Sequence, residues 1–308
     1  MKILLTGSSG MVGRNIAEHS KSSNYSLLLP NSLELNLLDA ASVTKYISTY
    51  NPDMIIHSAG IVGGIQANIS HPVKFLAENM QMGLNIMMSA KACGIKKFMN
   101  FGSSCMYPRD AKNPLSENMI SKGELEPTNE GYAIAKVAST RLCEYISRED
   151  KSYLYKTVIP CNLFGKYDKF DPEQSHMIPA VIRKICEAKS KNVDLIDIWG
   201  DGLAKREFMY VCDFADFVYY AIEHFESMPQ NINVGLGRDY TIKEYYQKIA
   251  KVVGYKGSFS YDLSRPIGMK QKLIDDTELK KFGWQHQTSL EEGLQKTYYY
   301  FLKEISYE

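Results

Sequence analysis

The sequence predicts an α/β protein, a doubly wound parallel sheet followed by a smaller α/β region. Three observations predict it. Short apolar runs alternate with helix-period segments through the first half of the chain. A glycine-rich loop follows the first of those runs directly. After about residue 165 the alternation loosens, yet no repeat or low-complexity stretch interrupts the globular pattern. With 308 residues, 44% hydrophobic and 23% charged, the chain can bury a sizeable core.

Residues 2–6 read as a strand, Gly10 to about Ser20 as a helix and Ser26–Leu29 as a second strand. A helix over Ala41–Tyr50 and a strand over Met54–His57 follow. Phe75, Leu76, Met80, Leu84, Ile86 and Met87 set a long helix across Val73–Cys93, before a strand at Phe98–Phe101. A helix around Tyr132–Ile146 leads into a strand at Tyr155–Ile159. Beyond residue 165, His176–Ala188 reads as a helix and Asp194–Trp199 as a strand closed by the turn Gly200-Asp201-Gly202. Helices at Val211–His224, Ile242–Val253, 276–282 and 289–303 and a strand at Asn231–Val234 complete the pattern, with 255–275 mixed. The expected division is 1–165 and 166–308, with parts of the second segment returning to the first.

Lys plus Arg total 36 against 35 Asp plus Glu, and a net charge of +1 gives no basis for a nucleic-acid or membrane-surface partner. The first residues enter a strand at once, so no targeting segment is expected, and no apolar run is long enough to span a bilayer. The cysteines at 93, 105, 143, 161, 186 and 212 are scattered, with no zinc-like spacing and hence no metal site expected; thiols of that kind suit a reducing cytoplasm.

Gly7, Gly10 and Gly13 form G-x-x-G-x-x-G between a strand and a helix. The first glycine allows the tight turn, the second lets backbone N–H groups approach a pyrophosphate, and the third lets the helix close on the sheet. A dinucleotide cofactor is implied. The tip of the second strand, Leu29-Pro30-Asn31-Ser32, has neither an acid for a ribose hydroxyl nor an arginine for a 2′-phosphate, and Arg14 is the nearest candidate cation. Asp39 stands either beside the adenine or as the cap of the next helix.

Tyr132 and Lys136 lie four apart on one helix and share a face. A lysine beside a phenol is expected to lower its pKa and make Tyr132 a proton donor to a carbonyl oxygen. Lys136 is also placed to meet a nicotinamide ribose. Ser103 follows a strand at the carboxyl edge of the sheet, where open α/β folds bind ligands.

The glycine loop, the strand-end serine and Tyr-x-x-x-Lys together resemble the extended short-chain dehydrogenase/reductases, whose nucleotide domain is the Rossmann fold. Longer words narrow the likeness. Val62–Asn68 (VGGIQAN), Gly102–Pro108 (GSSCMYP), Leu125–Glu130 (LEPTNE), Ser175–Ala180 (SHMIPA) and Arg206-Glu207-Phe208 look like GDP-L-fucose synthase, over about residues 3–300. That family epimerises C-3 and C-5 of GDP-4-keto-6-deoxymannose and reduces C-4 with a nicotinamide hydride.

The resemblance implies roles residue by residue. Ser103, Tyr132 and Lys136 serve reduction, and Cys105 and His176 match the pair that moves the epimerisation protons. Ser9, Met11, Val12, Ala59, Gly60, Pro160, Asn162, Leu163 and His176 join the glycines, Asp39, Tyr132 and Lys136 around the cofactor, with NADP(H) favoured and NAD(H) left open. Asn162, Arg183, Lys184, Trp199, Arg206 and Lys272 match positions around the GDP moiety, so the region 166–308 is expected to bind a GDP-linked keto-sugar. Taken alone, Cys105 reads as a small buried hydrophobe, His176 as a helix-start histidine facing water, and Lys272 as solvated surface. Three departures are visible: Lys184 where the family carries a second arginine, Pro30 and Ser32 where it carries arginines, and Gly131 where it carries proline. The family also pairs through the helices near 73–93 and 132–146, implying a homodimer. Rival readings are a C-4 reductase acting alone on a related sugar such as a GDP-4-keto-heptose, a nucleotide-sugar dehydratase or 4-epimerase, and a non-catalytic nucleotide sensor.

Overall fold

The computed structural model describes residues 1–171, 175–265 and 268–305. Its first half runs β1 (Lys2–Thr6), α1 (Met11–Glu18), β2 (Ser26–Leu28), α2 (Ala40–Tyr50), β3 (Met54–His57), α3 (Ile65–Ser70), α4 (Pro72–Ala92), β4 (Lys97–Phe101), α5 (Glu130–Glu149) and β5 (Leu154–Pro160). Then come β6 (Asn162–Phe164), α6 (Met177–Ser190), β7 (Leu195–Trp199), β8 (Lys205–Arg206), β9 (Phe208–Tyr210), α7 (Val211–Glu223) and β10 (Asn231–Val234). The chain closes with β11 (Tyr240–Thr241), α8 (Ile242–Val253), β12 (Ser258–Asp262), β13 (Gln271–Lys272), α9 (Thr277–Phe282) and α10 (Leu290–Ile305).

Six strands form one all-parallel sheet in the order β10-β5-β4-β3-β1-β2. Its strands are near-continuous apolar runs because both faces are covered. Alternate residues divide between the two faces. Ile3, Leu5, Ile56 and Met99 join Ile16 of α1 and Phe214, Phe217 and Val218 of α7. Leu4, Ile55, Phe98 and Tyr155 join Val43, Ile47, Ile86, Met87 and Ile146 from α2, α4 and α5. Each such side chain removed from water contributes about 1.5–3 kcal/mol. A separate core packs α6, α8 and α10 around β7 through Ile182, Ile185, Ile198, Tyr245, Ile249 and Phe301.

The expected strands and long helices are present, with ends shifted by a few residues. Residues 231–234 pair with β5, so part of the second segment completes the large sheet. The short pieces β6, β8, β9, β11 and β13 and helix α3 lie outside the sequence expectations; two or three residues carry no periodicity. Strand order reverses between β1 and β3, β2 lying on one side of β1 and β3 on the other, which places a ligand crevice at their carboxyl ends. Among the described residues, no helix is long and apolar enough to cross a membrane. All six cysteines are unbridged.

Candidate active site

The crevice between β1 and β3 opens on the glycine loop. Gly7 has φ +71°, and a Cβ there would stand 2.6 Å from the amide nitrogen of Ala59. A Cβ on Gly13 would stand 2.1 Å from the Gly7 carbonyl oxygen, so α1 approaches β1 as only glycine allows. Gly10 caps α1 and offers no side-chain cap, which leaves the amides of Met11, Val12 and Gly13 facing the loop that Ser9 completes. Ala59 N donates to Thr6 Oγ1 at 3.4 Å, and Gly60 lies within reach of both Asn79 and the Lys136 ammonium. These close backbone approaches fit a dinucleotide: with no Cβ in the way, the turn and the helix start close up as tightly as a pyrophosphate cradle requires.

Other cofactor expectations resolve individually. Asp39 Oδ1 accepts from Ala41 N at 3.0 Å and caps α2. The Arg14 guanidinium stacks on the Tyr167 ring at 3.5 Å, so the one candidate cation is engaged there. Pro160 ends β5 opposite Val234, and Leu163 of β6 pairs with Met209 of β9. Asn162 donates through Nδ2 to the Glu207 carbonyl at 2.9 Å, which fixes its side chain at the strand end.

Ser103 follows β4 and begins a tight turn, its hydroxyl accepting from Cys105 N at 3.2 Å. The same hydroxyl stands close enough to Tyr132 to favour its phenolate. One turn along α5, Lys136 is buried, and its ammonium donates to the Phe101 carbonyl at 2.8 Å and lies 5.8 Å from the Tyr132 ring centre. Burial pushes the Lys136 amine down to about 8. The expected lowering of Tyr132 is corrected by the geometry. Burial holds the phenol well above its ordinary value, the charge of Cys105 adds to the rise, and the Ser103 hydroxyl opposes it. Tyr132 therefore keeps its proton until a stronger base forms beside it.

The Cys105 sulfur is not packed as an inert hydrophobe. Asn129 Nδ2 donates to it at 3.0 Å and Lys272 Nζ at 3.6 Å. Lys272 is only 8% exposed, so the solvated-surface reading fails: β13 runs parallel to β8 with Lys272 opposite Arg206, and both cations turn into the site. Burial lowers the Arg206 pKa, and the charges of Cys105 and Glu126 oppose that shift. His176 caps α6 and is half-buried; burial, then Lys169 and Lys272, push its imidazole below the ordinary value. Lys272, the lysine that donates to Cys105, is thus one of the charges that act on His176.

Glu207 carried no expectation, yet it assembles this half. Fully buried, it accepts from Leu236 N at 2.5 Å, Gly237 N at 2.9 Å and Ile274 N at 3.1 Å. It thereby ties the β10 exit and the residues after Lys272 to Arg206. Burial, against those three hydrogen bonds, pushes its carboxyl up to about 7. The only sequence signal for Glu207 and Asn129 was membership of the words REF and EPTNE.

The remaining nucleotide-side expectations have contacts elsewhere. Arg183 Nε pairs with Glu187 at 2.7 Å, and Lys184 meets Asp197 Oδ1 at 2.8 Å. Trp199 is 39% exposed, with the Arg265 guanidinium 5.1 Å from its ring centre.

A nucleotide-binding parallel sheet with a Ser-Tyr-Lys constellation defines the class, and comparison gives the family. Residues 3–235 match the model of the NAD dependent epimerase/dehydratase family, and the chain belongs to that family. It is 60% identical over 304 residues to GDP-L-colitose synthase of Yersinia pseudotuberculosis, covering 99% of both chains. It is 46% identical over 301 residues to GDP-L-fucose synthase of Azorhizobium caulinodans, covering 98% of this chain and 96% of that one. A GDP-mannoheptose C4 reductase from Campylobacter jejuni with NADP bound superposes with a TM-score of 0.87 at 28% identity, with 98% of each chain covered.

Proposed function

We propose that this chain reduces C-4 of a GDP-linked 4-keto-6-deoxyhexose with NADP(H), after epimerising carbons next to the ketone. One observation carries the reading: the Ser103 hydroxyl accepts from the backbone of Cys105 and stands close enough to Tyr132 to favour its phenolate, which would let proton exchange and reduction address one carbonyl oxygen. The reading is supported by the names of the relatives at 60% and 46% identity.

A bound nicotinamide supplies the hydride. The glycine cradle with Ser9, Met11, Val12, Ala59 and Gly60 would hold its dinucleotide, with Pro160, Asn162, Leu163 and Lys136 as the residues that would meet the rest of it. Ser103 and Tyr132 hold the ketone oxygen, which stabilises the enolate when an adjacent C–H ionises. Cys105 and His176 take and return the protons on the sugar ring. Tyr132 then gives its proton to the C-4 oxygen as the alcohol forms. Arg206 and Lys272 offer positive charge to the diphosphate side, and Asn162, Trp199, Arg183 and Lys184 border the nucleotide side of region 166–308.

A second reading concerns the sugar. L-Colitose is the 3-deoxy counterpart of L-fucose, and the higher identity to the colitose enzyme favours a 3-deoxy substrate, in which only C-5 inverts. We further propose a cytoplasmic homodimer through α4 and α5, which expose Met80, Leu84 and Met88 on the one and Ile134 and Tyr145 on the other. A monomer in sedimentation velocity at micromolar protein removes that arrangement.

The test is turnover of GDP-4-keto-6-deoxymannose and its 3-deoxy analogue in deuterated water, following NADPH and product NMR. Deuterium beside the ketone with hydride delivered at C-4 supports the reading. Reduction without deuterium uptake turns it into a C-4 reductase acting alone, and turnover without NADPH consumption turns it into a dehydratase or 4-epimerase. Tyr132→Phe is expected to cut reduction about 10²–10⁴-fold with NADPH affinity unchanged.

A further inference from the structure

Asn129 stands at the N-cap of α5, where an asparagine side chain ordinarily accepts from the first free amides of the helix. Here it makes no capping hydrogen bond. Its amide turns away and donates through Nδ2 to the Cys105 sulfur at 3.0 Å. The other end of the amide, Oδ1, is buried without a hydrogen-bond partner among the described residues. Buried carbonyl oxygens are rarely left so, and each exception calls for a physical reason. Asn129 also lines a cleft of about 210 Å³ together with Tyr132 and Phe75.

The sulfur has a second donor, the Lys272 ammonium at 3.6 Å, from a different element. A thiol is a weak acceptor, whereas two donors converging on one sulfur match the acceptor capacity of a thiolate. The titratable groups around it are Lys272 from β13, Arg206 from β8 with Glu126 acting on it, Tyr132 from α5 and, through Lys272, His176 at the start of α6. Arg206 and Lys272 are the cations; Asn129 is the neutral donor that binds the sulfur at the shorter distance and fixes its direction.

We propose that Asn129 is a positioning residue of the proton-exchange half: its N–H holds the Cys105 sulfur in place as an acceptor, and its carbonyl oxygen accepts a hydroxyl of the bound keto-sugar. One planar amide then sets the distance between the sulfur and the sugar ring. This rests on the exchange role proposed for Cys105, and the measurements separate the two.

Asn129→Asp keeps a good N-cap and an acceptor for the sugar but places a negative charge where the donor was. Asn129→Ala removes donor and acceptor together. The first readout is alkylation of Cys105 by iodoacetamide at pH 7.5 in the full-length, substrate-free protein, followed by peptide mass spectrometry with Cys105→Ser as background. Because the thiolate is the nucleophile, both variants are expected to react about tenfold more slowly, the effect of losing one hydrogen bond to a charged group. Alkylation at the wild-type rate overturns the sulfur contact. The second readout is deuterium uptake into the sugar. Asn129→Asp is expected to slow uptake with KM nearly held, whereas Asn129→Ala slows uptake and raises KM about tenfold. Equal KM increases in both variants overturn the carbonyl contact. Slowed alkylation in a protein whose wild type takes up no deuterium keeps the Asn129–sulfur contact and removes the exchange reaction itself.

Discussion

The cofactor cradle and the Cys105 cluster are built in opposite ways. The cradle is one contiguous run, Gly7 to Gly13, between β1 and α1, and its chemistry is backbone geometry. The Cys105 cluster draws Cys105, Asn129, His176, Arg206 and Lys272 from five separate segments, and its chemistry is side-chain charge and hydrogen bonding. A contiguous site fails when a single atom is added. A dispersed site fails when what clips its segments together is removed. Here that clip is Glu207, which also makes the dispersed half sensitive to pH.

The largest break is expected in the cradle. Gly13→Ala inserts a methyl group 2.1 Å from the Gly7 carbonyl oxygen, where backbone must move. The collision is expected to cost about 1–3 kcal/mol or more and to weaken NADPH binding at least about 100-fold, read by fluorescence titration. Cys105 alkylation, in contrast, should be unchanged. Loss of both together would show that the two halves are not independent.

A smaller effect sharpens the other side of the comparison. The Glu207 carboxyl, about 7 in the folded protein against 4.5 ordinarily, is raised by burial. A carboxyl raised on folding favours the protonated form, so its stabilisation is full below about 4.5 and is lost as pH climbs through about 7. The span is worth on the order of 3 kcal/mol. Glu207→Gln cannot ionise but gives up an acceptor for one backbone N–H, at about 1 kcal/mol. The variant is expected to melt at or slightly below the wild type near pH 5 and above it by pH 8, where the wild type has lost on the order of 3 kcal/mol against the variant's fixed cost of about 1 kcal/mol. A gap constant with pH would show that Glu207 does not ionise within this range. NADPH affinity should hardly change in this variant, because the clip lies outside the cradle.

These differences explain what could be read early. The large sheet was legible because its strands are apolar on both faces and five residues suffice to show it. The two-residue strands β8 and β13 left no pattern, yet their register is what puts Lys272 opposite Arg206. Tyr132 and Lys136 were legible as a helical pair, but the sign of the shift on Tyr132 was not. Spacing says that a lysine is near; only packing says that burial outweighs it and that its ammonium is committed to the Phe101 carbonyl.

By itself, the sequence determined the parallel sheet, the glycine cradle and the Ser103–Tyr132–Lys136 set. Each depends on residues near in the chain, and local geometry obeys fixed periods. Only the tertiary structure decided that Asn129 gives up its cap for the Cys105 sulfur, that Lys272 is buried against it, and that Glu207 joins three distant backbone segments. The physical reason is burial. A side chain's hydrogen-bond partners and charge state are set by what excludes water around it, and those neighbours come from parts of the chain that spacing does not relate.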